Sequence, residues 1–321
     1  MHPVPQRDAS RLLVMDKKSG SLGHHGFSSL PDHLLPSDVL VINETRVIPA
    51  RLAGRTANGH ETEFLLVRST PEGALAMVRG LKKLKPGEAV DFGNGLSATF
   101  AGREGEMGLF SFNLAPEALA VWLESYGHIQ LPPYITRADG HADRERYQTV
   151  FAAKNGSCAA PTAGLHFTPE LFRRMAEKGV EVYKICLHVG PGTFRPFTGD
   201  DISGYRPDAE YAEVPQELYE KLEEAKARGG RVIAVGTTTT RALETAALRG
   251  GGYAGYTGLF IYPGFEFKMV DAIVTNFHLP RSSLLALVCA FAGREKTLAA
   301  YAEAIRLEYR FYSYGDAMFI A

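Results

Sequence analysis

Gly93-Asn-Gly95-Leu-Ser-Ala98 satisfies the G-x-G-x-x-A pattern of dinucleotide-binding folds, and its reading decides the fold of this chain. The pattern has that meaning only where it leaves a strand and opens a helix, whose N-terminus then holds a pyrophosphate. Here β-like residues stand on both sides, Ala89-Val-Asp-Phe92 before and Leu96-Ser-Ala-Thr-Phe100 after. Asn94-Gly95 supplies the positive-φ pair that a tight hairpin needs. The stretch is therefore a hairpin turn, and it belongs to a run of short strands.

That run extends in both directions. Arg51-Leu-Ala-Gly-Arg55, Glu63-Phe-Leu-Leu-Val67, Ala74-Leu-Ala-Met-Val78 and Leu109-Phe-Ser-Phe112 read as further strands, with Asn58-Gly59 as a second tight turn. Several short strands at this spacing predict a small antiparallel barrel or sandwich. Outside it, strands alternate with helices. Pro116 and Gly127 bracket a helix carrying Trp122. Thr168-Pro169-Glu170 caps a helix that Gly179 closes. Val180–Val189 reads as a strand, Pro215–Arg228 as an amphipathic helix and Arg231–Val235 as a buried strand. A helix is expected to begin after Thr240, a strand at Leu259–Tyr262, and the last helices at 282–291 and 297–309. The expected fold class is α/β: a larger α/β body, residues 1–50 and 115–321, into which a small antiparallel β-barrel domain, residues 51–114, is inserted.

Composition narrows the function classes. The 321 residues carry 35 Lys+Arg against 36 Asp+Glu, a net charge of −1, with 45% apolar and 22% charged residues. This is globular composition, which excludes wholesale disorder and a surface given over to polyanions while leaving room for one basic patch. The longest apolar stretch, Leu284–Ala292, is too short to span a bilayer. No charged-then-apolar leader opens the chain, so a cytoplasmic protein is expected. Cys158, Cys186 and Cys289 are widely spread and read as buried small hydrophobes, with no spacing for zinc or an iron–sulfur cluster, so no metal is expected. P-loop, nucleophile-elbow and H-E-x-x-H motifs are absent from the sequence.

Five polar, Gly- and Pro-rich segments remain, each at the edge of an element. They are Ile42-Asn-Glu-Thr-Arg-Val-Ile-Pro-Ala-Arg51, Ala159-Ala-Pro-Thr-Ala-Gly-Leu-His166-Phe-Thr, His188-Val-Gly-Pro-Gly-Thr-Phe-Arg195, Gly236-Thr-Thr-Thr-Thr-Arg-Ala-Leu-Glu244 and Thr275-Asn-Phe-His-Leu-Pro-Arg281. Loops on a rigid α/β scaffold are where sites are built. The Gly236 segment follows a strand and opens a helix, so it reads either as an anion- or sugar-binding turn or as a Thr-capped helix start.

Together with Leu131-Pro-Pro-Tyr-Ile135, Asp143-Arg-Glu-Arg-Tyr-Gln-Thr-Val-Phe151, Ile261-Tyr-Pro-Gly264, Val270-Asp-Ala272 and Tyr309-Arg-Phe-Tyr-Ser-Tyr-Gly-Asp-Ala-Met318, these segments resemble the S-adenosylmethionine:tRNA ribosyltransferase-isomerase family of the queuosine pathway. The resemblance covers nearly the whole chain. It implies transfer and isomerisation of the ribosyl group of S-adenosylmethionine onto 7-aminomethyl-7-deazaguanine at a tRNA wobble position. The products implied are epoxyqueuosine in tRNA, adenine and methionine. It also implies a monomer, and an α/β body with an inserted β-barrel. Two departures stand out. Family members carry a further segment ahead of the part that matches His2-Pro-Val-Pro5. In Gly204-Tyr-Arg-Pro-Asp-Ala-Glu-Tyr211 the Glu-Tyr is kept, but the histidine that usually precedes it is missing. The competing expectations are a catalytically impaired tRNA-binding relative and a nucleotide-type small-molecule enzyme.

Such a reaction needs a base beside the sulfonium, and His188, His278 and His166 are the candidates, because imidazole transfers protons near neutrality. Each could equally tie down a loop. Glu210, with Asp208, is the candidate partner for the substrate's ammonium; Glu44 and Glu244 are weaker, and Glu244 reads alternatively as a partner of Arg241. Thr162, Gly190, Thr237, Thr238 and Asn276 are candidates for holding S-adenosylmethionine. Arg46 and the run Lys82, Lys83, Lys85 are candidates for tRNA, with Arg79, Arg144 and Arg146 as possible additions. The aromatics Tyr309, Phe311, Tyr312 and Tyr314 read as core.

Overall fold

The computed structural model of the chain describes residues 3–70, 72–194, 197 and 201–321. It divides into two compact units, one made of Met1–Arg46, Arg146–Lys154 and Ala160–Ala321, the other of Val47–Glu145 and Asn155–Ala159. In chain order the elements are β1 (Arg11–Met15), β2 (Leu22–Gly26), β3 (Val39–Asn43) and β4 (Thr45–Val47). Then follow β5 (Arg51–Thr56), β6 (Glu61–Thr70), β7 (Gly73–Val78), β8 (Ala89–Gly93), β9 (Leu96–Glu104) and β10 (Met107–Phe112). After α1 (Pro116–Tyr126) and α2 (His141–Arg146) come β11 (Lys154–Ser157), α3 (Pro169–Glu177), β12 (Glu181–Leu187) and β13 (Glu210–Val214). The chain ends through α4 (Gln216–Ala227), β14 (Val232–Val235), α5 (Thr237–Arg249), β15 (Tyr253–Thr257), β16 (Ala272–Asn276), α6 (Ser283–Ala292), α7 (Arg294–Arg306) and β17 (Ala317–Ile320).

The second unit holds a closed barrel in the order β10-β7-β6-β5-β8-β9. Its strands alternate inward and outward residues, as in β5, where Leu52, Gly54 and Thr56 are buried. Gly54 is required there, because a Cβ would come within 2.7 Å of Val90 Cγ1 and 2.8 Å of Phe92 Cε1. Phe64 fills the interior with edge-on rings, Phe92 at 5.0 Å and Phe110 at 4.6 Å. The β8–β9 connection is the hairpin read from the sequence: Gly93, Asn94 and Gly95 all have positive φ. Trp122 of α1 donates its indole N–H to Asn94 O at 3.1 Å, fixing that turn.

The first unit is built on a nine-stranded sheet, order β15-β13-β12-β3-β14-β16-β17-β1-β2. The four strands β12, β3, β14 and β16 are parallel to one another. Three of them, β3, β14 and β16, are buried at every residue, the continuous apolar run expected when both faces are covered. Helix α3 starts as its sequence requires, with Thr168 Oγ1 accepting from Leu171 N–H at 3.3 Å and Pro169 in the first turn. Among the described residues no helix is long and apolar enough to cross a membrane. All three cysteines are buried and free.

Three local expectations are corrected. Helix α5 begins at Thr237, not after Thr240, so the threonine run is helical rather than a loop. Residues 259–262 are not a strand; the strand lies earlier, at Tyr253–Thr257, and Gly258 and Pro263 bracket the irregular piece that follows. The last helix runs over Arg294–Arg306, three residues ahead of the expected span, because Gly293 at φ 88° sits at its start.

The carboxylate just before β17 locks this sheet. Asp316 is fully buried and accepts from Arg11 N–H (2.9 Å), Arg310 N–H (2.8 Å) and the guanidinium groups of both arginines. Burial raises its pKa, but the hydrogen bonds from Arg310 and Arg11 outweigh burial and hold it below the ordinary carboxylate range. The stability it contributes is therefore present above about pH 4 and lost as pH falls through the depressed folded value. Asp316→Asn replaces one acceptor by a donor facing N–H groups, and the unfolding free energy in urea should fall by roughly 2–4 kcal/mol. A loss under about 0.5 kcal/mol would show that the site is not a lock.

Candidate active site

Because β12, β3, β14 and β16 run in parallel, their carboxyl ends share one edge, and the residues beyond them are those of four of the polar segments. Open α/β sheets hold ligands at this edge. Asn43, at the end of β3, is buried and ties it together. Its Oδ1 accepts from Leu187 N–H (3.0 Å) and Thr45 N–H (3.1 Å); its Nδ2 donates to Leu187 O (2.9 Å) and reaches Thr238 Oγ1 at 3.4 Å. Sequence reasoning did not single out Asn43. The signal is there, a polar amide ending the apolar run Val39-Leu-Val-Ile42.

The three histidines differ sharply. His166 is buried, with Ser10 Oγ 2.7 Å from Nδ1 and Asn276 Nδ2 3.0 Å from Nε2. Asn276 Nδ2 also faces the carbonyls of Tyr312 (3.2 Å) and Asp316 (3.4 Å), so the amide must present its donor here and Nε2 accepts. The Nδ1–H tautomer of His166 is thereby fixed, and burial pushes its pKa down to about 4. His278 is buried against Thr275 Oγ1, 2.7 Å from Nε2, and burial pushes it down to about 3. His188 is only half-buried. Thr45 Oγ1 lies 2.8 Å from its Nδ1, Cys186 Sγ is 3.7 Å from the same nitrogen, and Tyr211 stacks on the ring at 6.0 Å. Burial lowers its pKa, Lys154 works in the same direction and Glu213 opposes both. The neighbouring Cys186 thiol is pushed up to about 11 by burial and stays protonated.

The candidates for S-adenosylmethionine fall into two groups. Thr237 and Thr238 are buried in the first turn of α5, which opens from Gly236 at φ 91°. Thr239 and Thr240 are occupied, donating to Val235 O (2.7 Å) and Gly236 O (3.1 Å). Thr162 is half-buried in the short helix Thr162–His166, and Asn276 is engaged with His166. Gly190 N–H donates to Glu210 Oε1 at 2.7 Å. Arg195, at the end of the same segment, lies outside the described residues.

Glu210 is neither a solvated loop carboxylate nor a free one. It is buried at the start of β13, accepts also from Thr193 Oγ1 (2.9 Å), and forms an ion pair with Arg241. Sequence reasoning considered Arg241 only as a partner for Glu244, not as a site residue. Its side chain is 11% exposed, and burial pulls its pKa down to about 10. The alternative reading of Glu244 as a partner of Arg241 is not met. Glu244 accepts instead from the N–H groups of Lys268, Met269 and Val270 at 2.9–3.0 Å, a structural anchor for that loop. Glu210, Arg241 and the exposed Asp208 line one cleft of about 440 Å³, counted to its open mouth. His188 N–H donates to Tyr211 O (2.9 Å), so the segment after β12 is laid along β13, with the His188 ring on Tyr211.

Among the basic candidates, Arg46, Lys82, Lys83 and Lys85 are exposed. Leu81 and Leu84 are buried in the barrel core and hold the lysine turn outward. Arg144 and Arg146 are committed to backbone carbonyls, the first to those of Glu124 and Gly127, the second to those of Val4 and Pro5. Tyr309 and Tyr314 are core residues.

Two buried neutral histidines make stability depend on pH with a definite sign. Their folded pKa values, about 4 and about 3, lie below the unfolded value near 6.5, so the unfolded chain binds more protons in between. The stability is complete above about pH 6.5 and is lost as pH falls toward 4, at roughly 1 kcal/mol per pH unit for each histidine. Urea unfolding from pH 7 to 4.5 should show this slope, and His278→Gln should flatten it. An unchanged slope in that variant would mean that His278 is not held neutral.

The queuosine biosynthesis protein family matches residues 1–320 of this chain. The S-adenosylmethionine:tRNA ribosyltransferase-isomerase of Pelobacter propionicus is 49% identical over 326 residues, spanning 99% of this chain and 95% of that protein. The crystal structure of the S-adenosylmethionine tRNA ribosyltransferase of Thermotoga maritima superposes with a TM-score of 0.58 at 39% identity, covering 100% of this chain and 95% of that one. A match over nearly every residue, with half of them identical in one relative, means that the chain belongs to the queuosine biosynthesis protein family.

Proposed function

We propose that the protein is an S-adenosylmethionine:tRNA ribosyltransferase-isomerase, moving the ribosyl group of S-adenosylmethionine onto tRNA. The observation that carries this reading is the 49% identity with the Pelobacter propionicus enzyme over 99% of the chain. The acceptor is 7-aminomethyl-7-deazaguanine at the wobble position, and the products are epoxyqueuosine in tRNA, adenine and methionine. The protein acts as a cytoplasmic monomer.

His188 is the base. It alone among the three candidate histidines combines partial exposure with a polar tether, through Thr45 at Nδ1, while Nε2 has the weakly hydrogen-bonding Cys186 thiol 3.8 Å away. His166 and His278 hold their segments in place as neutral hydrogen-bonding groups. Thr237 and Thr238, with Gly190, Thr162 and Asn276 around the same sheet edge, form the surface for S-adenosylmethionine. Asp208 takes the substrate's ammonium, because it is exposed and no cation among the described residues pairs with it, whereas Glu210 is neutralised by Arg241. Arg46 and the lysine turn 82–85 supply positive charge for RNA.

Incubation with S-adenosylmethionine and tRNA bearing the aminomethyl base should release adenine and add a ribosyl-derived mass to the nucleoside. Neither signal from folded protein would end this reading. His188→Ala should cut turnover roughly 10²–10⁴-fold, the range for loss of a general base. A base must be neutral, and burial holds His188 below the ordinary imidazole value, so the acid limb of kcat/KM should lie below about pH 6.5. Wild-type turnover in the variant would remove His188 from the role.

Replacing Lys82, Lys83 and Lys85 by Ala should weaken tRNA binding and make log K against log salt shallower, by about one unit for each phosphate no longer neutralised. A slope equal to that of wild type would place the RNA elsewhere.

A further inference from the structure

The cleft lined by Asp208, Glu210 and Arg241 has aromatic walls. Tyr205 and Phe260 both line it, both are half-buried, and their rings stand 5.1 Å apart at 70°. Phe197 packs edge-on against both, at 4.7 Å and 5.7 Å, and so holds them in place. Rings that are supported from behind and open toward a cleft offer a flat ligand a stacking surface at little cost in side-chain freedom.

The polar groups of the cleft select among flat ligands. Arg241 brings a planar fork of N–H donors, pairs with Glu210 and also interacts with the Tyr205 phenol. Glu210 and Asp208 bring two carboxylates, one buried on the floor and one exposed at the rim. A guanidinium beside a carboxylate complements an edge with a carbonyl oxygen next to N–H donors, as a guanine-type base has. Adenine offers the couple one N–H beside a ring nitrogen, whereas a guanine-type edge offers two N–H donors beside a carbonyl and engages the couple more fully. A cationic arm on the same base would meet Asp208.

We propose that this cleft is the subsite for the deazaguanine-type base of the tRNA, swung out of its stack, with Tyr205 and Phe260 as its walls and Arg241 and Glu210 reading its edge. The proposal rests on the function proposed above and deepens it. Arg241 becomes a specificity-determining residue, and the adenosine end of S-adenosylmethionine is assigned elsewhere, to the sheet edge near Thr237 and Thr238. A base extruded into a protein pocket is read by stacking and by its hydrogen-bonding edge, the two devices present here.

Steady-state kinetics on the full-length enzyme test this, with S-adenosylmethionine and tRNA bearing 7-aminomethyl-7-deazaguanine varied in turn. Phe260→Leu keeps apolar volume but removes a stacking face, Tyr205→Leu removes the phenol beside Arg241 as well, and each should raise KM for the tRNA about tenfold. KM for S-adenosylmethionine should stay within about twofold. Arg241→Lys keeps the charge but loses the fork, and should reduce the preference for aminomethyl-deazaguanine tRNA over tRNA bearing an aminomethyl base without the carbonyl by about tenfold. Asp208→Asn, at an exposed position that leaves folding intact, should lower about tenfold the preference for the aminomethyl tRNA over the same tRNA with guanine. Thermal unfolding of each variant separates these effects from a loss of fold. A rise in KM for S-adenosylmethionine with tRNA parameters unchanged would overturn the proposal and put the cofactor's adenine in the cleft. Unchanged values for both substrates in the Tyr205, Phe260 and Asp208 variants would overturn it as well. Lack of turnover by the wild-type protein would instead defeat the functional reading itself, and the proposal with it.

Discussion

The site depends on one constraint, the parallel alignment of four strands held at its carboxyl edge by the amide of Asn43. Parallel strands put all of their C-terminal ends on one side, so loops separated by over a hundred residues in sequence open onto the same edge. Asn43 satisfies the backbone of Leu187 in both directions and bonds to Thr45 N–H, which a carboxylate or an apolar side chain cannot do. Thr45 in turn positions His188. A buried amide with all of these partners is costly to replace, because each backbone group left behind would be unsatisfied in a dry interior.

Much of the architecture is legible from sequence because the relevant signals are local. Asn94-Gly95 between two β-like runs can be little else than a hairpin, and so the dinucleotide pattern around it can be set aside. The N-cap Thr168 and the apolar run Val232–Val235 are equally direct. The failures share a cause in tertiary context. The threonine run 237–240 reads as loop by propensity, yet the helix starts at Thr237 because Thr239 and Thr240 turn their hydroxyls back onto carbonyls at 235 and 236. Residues 259–262 have strand composition, but they lie along a cleft instead of pairing in a sheet.

The site is legible to the same degree and no further. Segments can be found, because Gly, Pro, Thr and His cluster at element edges. Roles within them cannot, since exposure and partners decide those. Three histidines of equal standing in sequence become two buried tethers and one half-buried ring. Glu210 and Glu244 look alike in sequence, yet one meets Arg241 and the other three backbone N–H groups. Helical spacing favours pairing Arg241 with a neighbour three residues on, whereas the fold brings β13 across to meet it.

That buried Glu210–Arg241 pair is hard to explain by stability alone. Two charges removed from water lose several kcal/mol each in hydration, and well-packed apolar residues of the same volume often do as well or better. Glu210 Oε1 accepts from Gly190 N–H and Thr193 Oγ1, and its other oxygen forms the ion pair with Arg241, whose guanidinium carries more donors than that one oxygen can accept. In a closed core the spare N–H groups would be a defect. At the floor of a cleft, beside their own counter-ion, such donors are available to a ligand, which is the use the proposed subsite makes of them. On the assignment proposed above, the same pairing that makes Glu210 a poor partner for a second cation leaves that task to Asp208 at the rim, so the two carboxylates, two residues apart in sequence, would divide edge reading from charge recognition.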